Sequence, residues 1–342
     1  ATSITETDGL SLTDSELSGQ FDLTTGGAIV LSNLNAGTNA VNISAGGEIS
    51  DGNDDTAGNN LTAGVLTITG DQAVTGIETA VSTLDLATAA TSITETDGLS
   101  LTDSELSGQL DLTTGGATII GTLNASGQSV NLSLAGELTD GNADVASADA
   151  TVNVIAESLA ITGDQAVTGI ETSVTTLDLS TAATSIIETD GLSLTDSELS
   201  GQFDLTTGGA IVLSTLNAGT NDVNIAAGGS IVDGNVDVLN VTANSLSASS
   251  TQSIDLDTEV AEVALAVTTQ GIVDYTSASE ETLIDLDELD SLIVKGLDIE
   301  LTLSDADVAN VNLLTGEKTL TVNLSAPGGI TDQSDDASSI TQ

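Results

Sequence analysis

The feature that most constrains this chain is internal repetition. The 18 residues Thr2–Gly19 return unchanged at Thr91–Gly108. They return again at Thr184–Gly201, where Ile187 replaces a threonine. The copies start at residues 2, 91 and 184, so they are spaced by 89 and then 93 residues. Such repetition is typical of a stack of similar units, each of which contacts only its neighbours, and it disfavours a single enclosed pocket.

A shorter period exists inside each repeat. Apolar alternations such as Leu10-Ser-Leu12 predict strands, and the Thr-Gly-Gly and Asp-Gly-Asn segments between them predict turns. Aliphatic residues recur every 18 or 19 positions, at Leu12, Leu31, Ile49, Ile68 and Leu86. This period is too short for a propeller blade and fits one coil of a solenoid. The predicted fold is therefore all-β, an elongated right-handed parallel β-helix (β-solenoid) with coils of roughly 18–22 residues.

The composition agrees with a narrow β-helix. Hydrophobic residues make up 39% of the chain, and the only aromatic residues are Phe21, Phe203 and Tyr275. A string of β-sandwich domains of about 90 residues is the alternative architecture. The 89-residue spacing favours that alternative. The short coil period and the missing aromatic core disfavour it.

The predicted organisation follows the repeats. Residues 1–90 form repeat 1, 91–183 repeat 2 and 184–245 a partial repeat 3. Residues 246–300 form a diverged acidic element, either helical or an elaborated coil, and 301–342 form terminal coils. The positions predicted to face inward, together with their copies, are Leu10, Leu12, Ile29, Leu31, Ile43, Ile49, Leu66 and Ile68.

The charge balance excludes several functions. The chain has 52 acidic residues against Lys295 and Lys318, a net charge of −50, and no Arg, His or Cys. Nucleic-acid binding requires cationic side chains, and imidazole bases or thiol nucleophiles require residues that are missing. No apolar run approaches the ~18 residues of a membrane helix. We therefore expect no enzyme activity, no nucleic-acid partner and no membrane insertion.

One acidic pattern suits a hard cation. The pattern Asp-x-Asn-x-Asp places three oxygen ligands at alternate positions of a glycine-containing turn, as Ca²⁺ prefers, although the distal glutamate of an EF-hand is absent. The alternative is a plain turn in which the side chains cap their own backbone. The candidate ligands are Asp51, Asn53, Asp55, Asp140, Asn142, Asp144, Asp233, Asn235 and Asp237.

Stacking raises the electrostatic cost of the acidic residues. Equivalent positions in neighbouring coils lie about 4.8 Å apart. Two carboxylates at that distance repel by ~0.9 kcal/mol even in bulk water. We expect bound divalent cations or a saline habitat to offset this repulsion. The clusters Glu6/Asp8 and Asp14/Glu16, with their copies, are predicted to be solvated faces.

The repeats resemble those of a known family. The segments 45–53, 61–68, 76–84 and 91–99, with their Gly-Gly-x-Ile and Leu-x-Leu patterns, are similar to repeats of filamentous-haemagglutinin-type exoproteins. The resemblance covers residues 1 to about 245 and, more loosely, about 300 to 332. It implies a giant, secreted, right-handed β-helix of a bacterial surface. The near absence of Lys and Arg departs from the family pattern.

The expected function is a non-catalytic structural fibre, extracellular or on a cell surface, that assembles with itself head to tail. The alternative is a ligand-binding segment of a large secreted adhesin; a calcium-dependent surface-layer protein or an ice-binding protein is a weaker one. Divalent cations are expected to bridge filaments, and glycans are further candidate partners. The sequons lie at Asn42, Asn60, Asn124, Asn131, Asn240 and Asn323.

Overall fold

The computed structural model describes residues 1–53, 58–142, 151–236 and 238–267, and beyond them only the strands given below. The chain divides into two compact units, Ala1–Thr175 and Thr176–Gln342. Every helix or strand in the described residues is a β-strand. The parallel strands stack as a β-solenoid of about 13 turns, which confirms the predicted fold class.

The first unit contains strands β1 to β18 and most of β19. Their bounds are β1 Thr2–Glu6, β2 Leu10–Leu12, β3 Ser15–Glu16, β4 Phe21–Thr25, β5 Ile29–Leu31, β6 Leu34–Asn35, β7 Ala40–Ala45, β8 Ile49–Asp51, β9 Leu61–Thr69, β10 Val74–Thr88, β11 Thr91–Glu95, β12 Leu99–Leu101, β13 Ser104–Leu106, β14 Leu110–Thr114, β15 Thr118–Ile120, β16 Leu123–Leu134, β17 Leu138–Asp140, β18 Val154–Thr162 and β19 Val167–Thr181.

The second unit begins within β19. Its strands are β20 Thr184–Glu188, β21 Leu192–Leu199, β22 Phe203–Thr207, β23 Ile211–Leu213, β24 Leu216–Asn217, β25 Asp222–Ala227, β26 Ile231–Asp233, β27 Val241–Ser250, β28 Ile254–Val267, β29 Ile272–Ser277, β30 Thr282–Asp287, β31 Ser291–Gly296, β32 Ile299–Leu303, β33 Asn310–Thr315, β34 Thr321–Asn323 and β35 Thr331–Asp332.

The strands of successive coils pair in parallel. In the first unit, β1 pairs with β4 and β4 with β7, while β2 pairs with β5 and β5 with β8. Short strands also stack, β3 on β6 and β6 on β9. Sandwich domains are built from antiparallel sheets. The parallel ladders therefore show that the sandwich alternative is wrong.

The predicted inward residues form the core, with one exception. Ile29, Leu31 and Leu66 are fully buried, and Leu12, Ile43, Ile49 and Ile68 are also buried. Leu10 is only half-buried, because no described coil covers it.

The 18- or 19-residue spacing gave the coil length but misplaced part of the stack. Leu12 does pair with Leu31, yet Leu31 pairs with Asp51, and Ile49 pairs with Ile29 instead. The reason is that coil lengths vary at the turns. A constant spacing in the sequence therefore does not follow one column of the structure.

Glycine-rich corners let the coils approach closely. A Cβ atom on Gly46 would lie 2.7 Å from the carbonyl oxygen of Gly26, and one on Gly26 would lie 2.4 Å from that of Thr7. Both distances are shorter than a van der Waals contact, so only glycine fits in this column. The repeated Gly-Gly pairs thus set the tight corner between the two strands that follow each other in a coil.

The described part of 246–300 belongs to the same ladder system. β28 pairs in parallel with β29 and β30, and β29 pairs with β31. Tyr275 is fully buried and its hydroxyl lies 2.6 Å from that of Thr258. The strands favour an elaborated coil over a helix for this element. Among the described residues, no helix has the length and hydropathy needed to cross a lipid bilayer.

Candidate functional site

The Asp-Gly-Asn turns are closed by their own side chains. Asp51 Oδ1 accepts hydrogen bonds from the Asn53 amide at 2.7 Å and from Asn60 Nδ2 at 2.6 Å. The first of these bonds spans two residues, the pattern of an Asx turn. Asp140 and Asp233 accept equivalent bonds from the amides of the asparagines two residues on. One carboxylate oxygen of each turn is therefore already used by the protein.

A buried asparagine joins each turn to neighbouring coils. Asn60 is fully buried, its Nδ2 donates to the Leu31 carbonyl oxygen at 2.8 Å, and its Oδ1 accepts from the Glu78 amide at 2.7 Å. With its bond to Asp51, Asn60 ties together residues of three successive coils. Buried polar groups need such partners, since an unpaired one costs about 1–3 kcal/mol.

The same network is built three times. Asn153 Nδ2 donates to Asp140 Oδ1 at 2.8 Å, and Asn240 Nδ2 donates to Asp233 Oδ1 at 2.7 Å. Each also donates to a strand carbonyl and accepts an amide from the next coil. The turn and its asparagine are separated by different numbers of residues in the three copies, so the sequence does not show that they are connected. The sequence does contain a pattern by which these asparagines could be found, because all three begin the pattern Asn-apolar-x-Ala.

The predicted calcium ligands are only partly described. Asp55, Asp144 and Asp237 lie outside the described residues. In the part of the chain that the structure describes, no group of three or more acidic, His or Cys side chains is placed to hold a metal ion. The hydrogen bonds that Asp51, Asp140 and Asp233 accept from the asparagine amides two residues on fit the alternative of a capped turn. Calcium binding stays a prediction.

The expected ladders of stacked carboxylates are replaced by mixed ladders. Asp22 pairs in register with Ser3 on one side and Asn42 on the other, and it accepts hydrogen bonds from Asn42 Nδ2 at 2.7 Å and Gln20 Nε2 at 2.9 Å. These bonds lower the pKa of Asp22, with Asn42 as the main cause. Asp111 and Asp204 repeat the arrangement with Asn131 and Asn224.

At these positions an amide takes the place of the next carboxylate, so the expected repulsion between stacked carboxylates does not arise there. The 20-residue offset between each Asp and its Asn was visible in the sequence. Asp255 and Asp274 are an exception, since they are register partners.

Two aspartates lie close enough to repel. Burial raises the pKa of Asp85, and the charge of Asp103 raises it further. Asp103 has a left-handed backbone, with φ of 44°, and Thr122 Oγ1 donates to its Oδ1 at 2.9 Å. Asp178 and Asp196 repeat the pair in the second unit. These pairs are a local electrostatic cost of the fold.

A glutamate in the repeated 18-residue segment is buried between coils. Glu95 is 1% exposed; its Oε2 accepts from Thr79 Oγ1 at 2.7 Å and from the Val81 amide at 3.0 Å. Its Oε1 accepts from the Asp97 amide at 3.1 Å. Burial raises the pKa of Glu95, and these hydrogen bonds act against that rise. The prediction of a solvated face is wrong for Glu95 and for its buried copy Glu188.

The first copy of the same segment is uncovered. Ile4 is 37% exposed, whereas Ile93, its copy, is 2% exposed. Glu6 is half-buried and its Oε1 accepts only from the amides of Thr7 and Asp8, at 2.9 and 3.3 Å. No described strand lies on the side of β1 that faces away from β4. The two copies differ in burial because a described coil, β10, lies against only the second of them.

Comparisons with protein-family models, curated proteins and solved structures give no match for this chain. The resemblance to filamentous-haemagglutinin-type repeats thus remains a prediction from sequence.

Proposed function

We propose that this chain is a non-catalytic structural segment of an extracellular or cell-surface fibre, which assembles end to end through its solenoid coils. Stacked parallel coils support the proposal, because their strand edges can be continued by further coils without a change of geometry. The side chains support it too: the networks of Asn60, Glu95 and their copies hold one coil to the next.

The parallel register of successive coils, seen where β1 pairs with β4 and β4 with β7, carries the proposal. A solenoid edge presents unpaired N–H and C=O groups, which are a template for pairing with another chain. A contact that joins one end of a subunit to a different surface of the next does not close, so it propagates as a filament.

Electron microscopy with sedimentation velocity tests the proposal. A purified chain of residues 1–342, concentrated at physiological ionic strength, should form filaments of uniform width, and the sedimentation coefficient should increase with concentration. The Ile4→Asp variant should shift the chain towards monomer, because it adds charge to the exposed edge. A chain that stays monomeric at every concentration and salt level would contradict the proposed function.

Calcium dependence is a separate prediction about the Asp-Gly-Asn turns. If they bind Ca²⁺, a chelator at fixed ionic strength should lower the melting temperature, and Asp140→Asn should reduce that effect. The variant is well matched, because its amide oxygen can still accept from Asn142 and Asn153 while the charge is lost. A melting temperature that depends on ionic strength alone would identify the turns as capped turns only.

A further inference from the structure

The Asn-x-Ser/Thr sequons differ sharply in the access they give to the asparagine side chain, and two of them are closed. A sugar is attached to the side-chain nitrogen of a sequon asparagine, so that atom must be reached. Asn60 and Asn240 are each 0% exposed. Their Nδ2 atoms donate to the carbonyl oxygens of Leu31 and Leu213, both at 2.8 Å. In the folded protein these two sequons belong to the core and have no accessible nitrogen.

Two further sequons lie within strands and have nitrogens that are already bonded. Asn42 Nδ2 donates to Asp22 Oδ1, and Asn131 Nδ2 donates to Asp111 Oδ1, each at 2.7 Å. A hydrogen bond to a carboxylate is stronger than one between neutral groups. A reaction at Asn42 or Asn131 must therefore first break such a bond.

Asn124 has the opposite arrangement. Its Oδ1 accepts hydrogen bonds from the Ser126 hydroxyl at 2.8 Å and from the Ser126 amide at 3.2 Å. The backbone amide can only donate, so it fixes which end of the carboxamide is the oxygen and leaves Nδ2 on the other side. Among the described residues, Asn124 Nδ2 donates to none. The sequon hydroxyl is thus bonded to the sequon amide, and the reacting nitrogen is free.

The backbone around Asn124 gives room for a ligand. The register of β16 shifts between Ala125 and Ser129, and Gly127 has a left-handed backbone with φ of 71°. A Cβ atom on Gly127 would meet nothing within 4 Å, so this turn faces open space. Asn124 also lines an open groove of about 470 Å³, together with Asp71 and Glu105. This volume is in the range of small-molecule sites, and the carboxylates can accept hydrogen bonds from sugar hydroxyls.

We infer that Asn124 is the acceptor of an N-linked sugar in the folded protein, and that its partner is a transferase with a sugar diphosphate as donor. A nucleoside diphosphate and a lipid diphosphate carry the sugar through the same phosphate chemistry. Four of the other five sequons are closed by burial or by a bonded nitrogen, and the fifth, at Asn323, has a side chain outside the described part of the structure. The site goes beyond the proposed fibre function.

The reaction exchanges one bond for another. A bond forms between Asn124 Nδ2 and the anomeric carbon of the sugar, and the bond between that carbon and the phosphate oxygen breaks. The diphosphate leaves with the electron pair, and Nδ2 gives up one proton to a base of the transferase. The hydrogen bonds from Ser126 to Oδ1 stabilise the negative charge that develops on the carboxamide oxygen as the proton leaves.

Two donors test the site on the folded chain of residues 1–342. One sample receives a soluble transferase with UDP-glucose, and the other a membrane transferase with a lipid diphosphate oligosaccharide. Peptide mass spectrometry with fragmentation locates the sugar. We expect modification of Asn124 and none of Asn60 or Asn240. Asn42 and Asn131 should react at least about tenfold more slowly, the factor for breaking a hydrogen bond to a charged group. The donor that reacts identifies the carrier of the sugar.

Two controls show that the fold makes the choice. A peptide of residues 58–65 carries the Asn60 sequon without the fold and should be modified. Ser126→Ala should abolish modification of Asn124, whereas Ser126→Thr should retain it. Ser133→Ala is the matched control, because it removes an exposed hydroxyl from the Asn131 sequon in the same strand and should leave the Asn124 rate unchanged. Ser126 is exposed, so its variants should keep the original melting temperature.

The outcomes separate this site from the fibre function. A folded chain that takes no sugar at Asn124 from either donor would overturn the inference. Equal rates at Asn124 and Asn131, or unchanged modification of Ser126→Ala, would overturn it as well. Asn124 has register partners on both sides, Glu105 and Ile155, so it lies within the stack. Filament formation by the unmodified chain, which tests the fibre function, is therefore independent of each of these results.

Discussion

The same 18 residues occupy two different settings in the first unit, at Thr2–Gly19 and at Thr91–Gly108. In the second setting, β10 covers them and Glu95 is buried with three hydrogen bonds. In the first setting, Glu6 is half-buried and bonds only within its own coil. The comparison shows that burial in a solenoid depends on the neighbouring coil, so one sequence can be core in one place and partly exposed in another.

The largest difference is expected for the isoleucine pair. Ile93→Ala should lower the free energy of unfolding by about 2–5 kcal/mol, because it leaves a cavity in the core. Ile4→Ala should cost less than about 1 kcal/mol, because its side chain is already partly hydrated. Urea unfolding of both variants measures the two costs. Equal costs would mean that the first coil is covered in solution.

The glutamate pair should give a smaller difference. Glu95→Ala leaves the Thr79 hydroxyl and the Val81 amide without their acceptor, at a cost of about 1–3 kcal/mol. Glu6→Ala removes only local bonds to exposed amides, so its cost should be within about 0.5 kcal/mol of zero. The same urea experiment applies, carried out at a protein concentration where the chain is monomeric. A costly Glu6→Ala under those conditions would contradict the structural comparison.

The stability cost of a Ser→Ala substitution should differ still less between Ser104 and its copy, Ser15. Ser104 is buried, and its Oγ accepts from the Leu86 amide at 3.1 Å and donates to the Thr102 carbonyl at 3.2 Å. Ser104→Ala should cost about 0.5–1.5 kcal/mol, the usual value of a hydrogen bond. Ser15→Ala removes only a bond to Thr13 at 3.4 Å and should be near neutral. Thermal unfolding of both variants provides the measurement.

The fold was predictable because the same short patterns recur in every repeat. The alternation of Leu10-Ser-Leu12 and the Gly-Gly corners each predict the same local structure, and parallel stacking follows from their repetition. Register was less predictable. The step from Leu10 to its register partner Ile29 takes 19 residues and the step from Ile29 to Ile49 takes 20, so Ile49 stacks on Ile29 and not on Leu31.

The candidate site was predicted only in part. The Asp-Gly-Asn turns were recognised, but the buried asparagines that complete them lie several residues further along and look like ordinary turn residues. Glu95 was misjudged because acidic residues are usually solvated. Its burial depends on Thr79, which is 16 residues earlier in the chain and directly opposite in the stack. Such a contact can be predicted only when the register of the paired strands is known. That register became known only from the structure.

The smallest expected effect is a pH dependence confined to the covered copy. Burial raises the pKa of Glu95 above its ordinary value. A carboxyl group of raised pKa binds its proton more readily in the folded than in the unfolded chain, whose glutamates titrate near pH ~4.3. The contribution of Glu95 to stability therefore increases as the pH falls from neutral through its folded pKa, and it decreases as the pH rises. The cost of Glu95→Ala should consequently be larger at pH ~5 than at pH ~7.

Asp85 and Asp178, whose pKa values are also raised, act in the same direction in both proteins and cancel in the difference. The Ile93→Ala cost, which involves no titrating group, should stay constant over the same range. A Glu95→Ala cost that is constant, or that decreases on acidification, would show that β10 does not desolvate this carboxylate in solution.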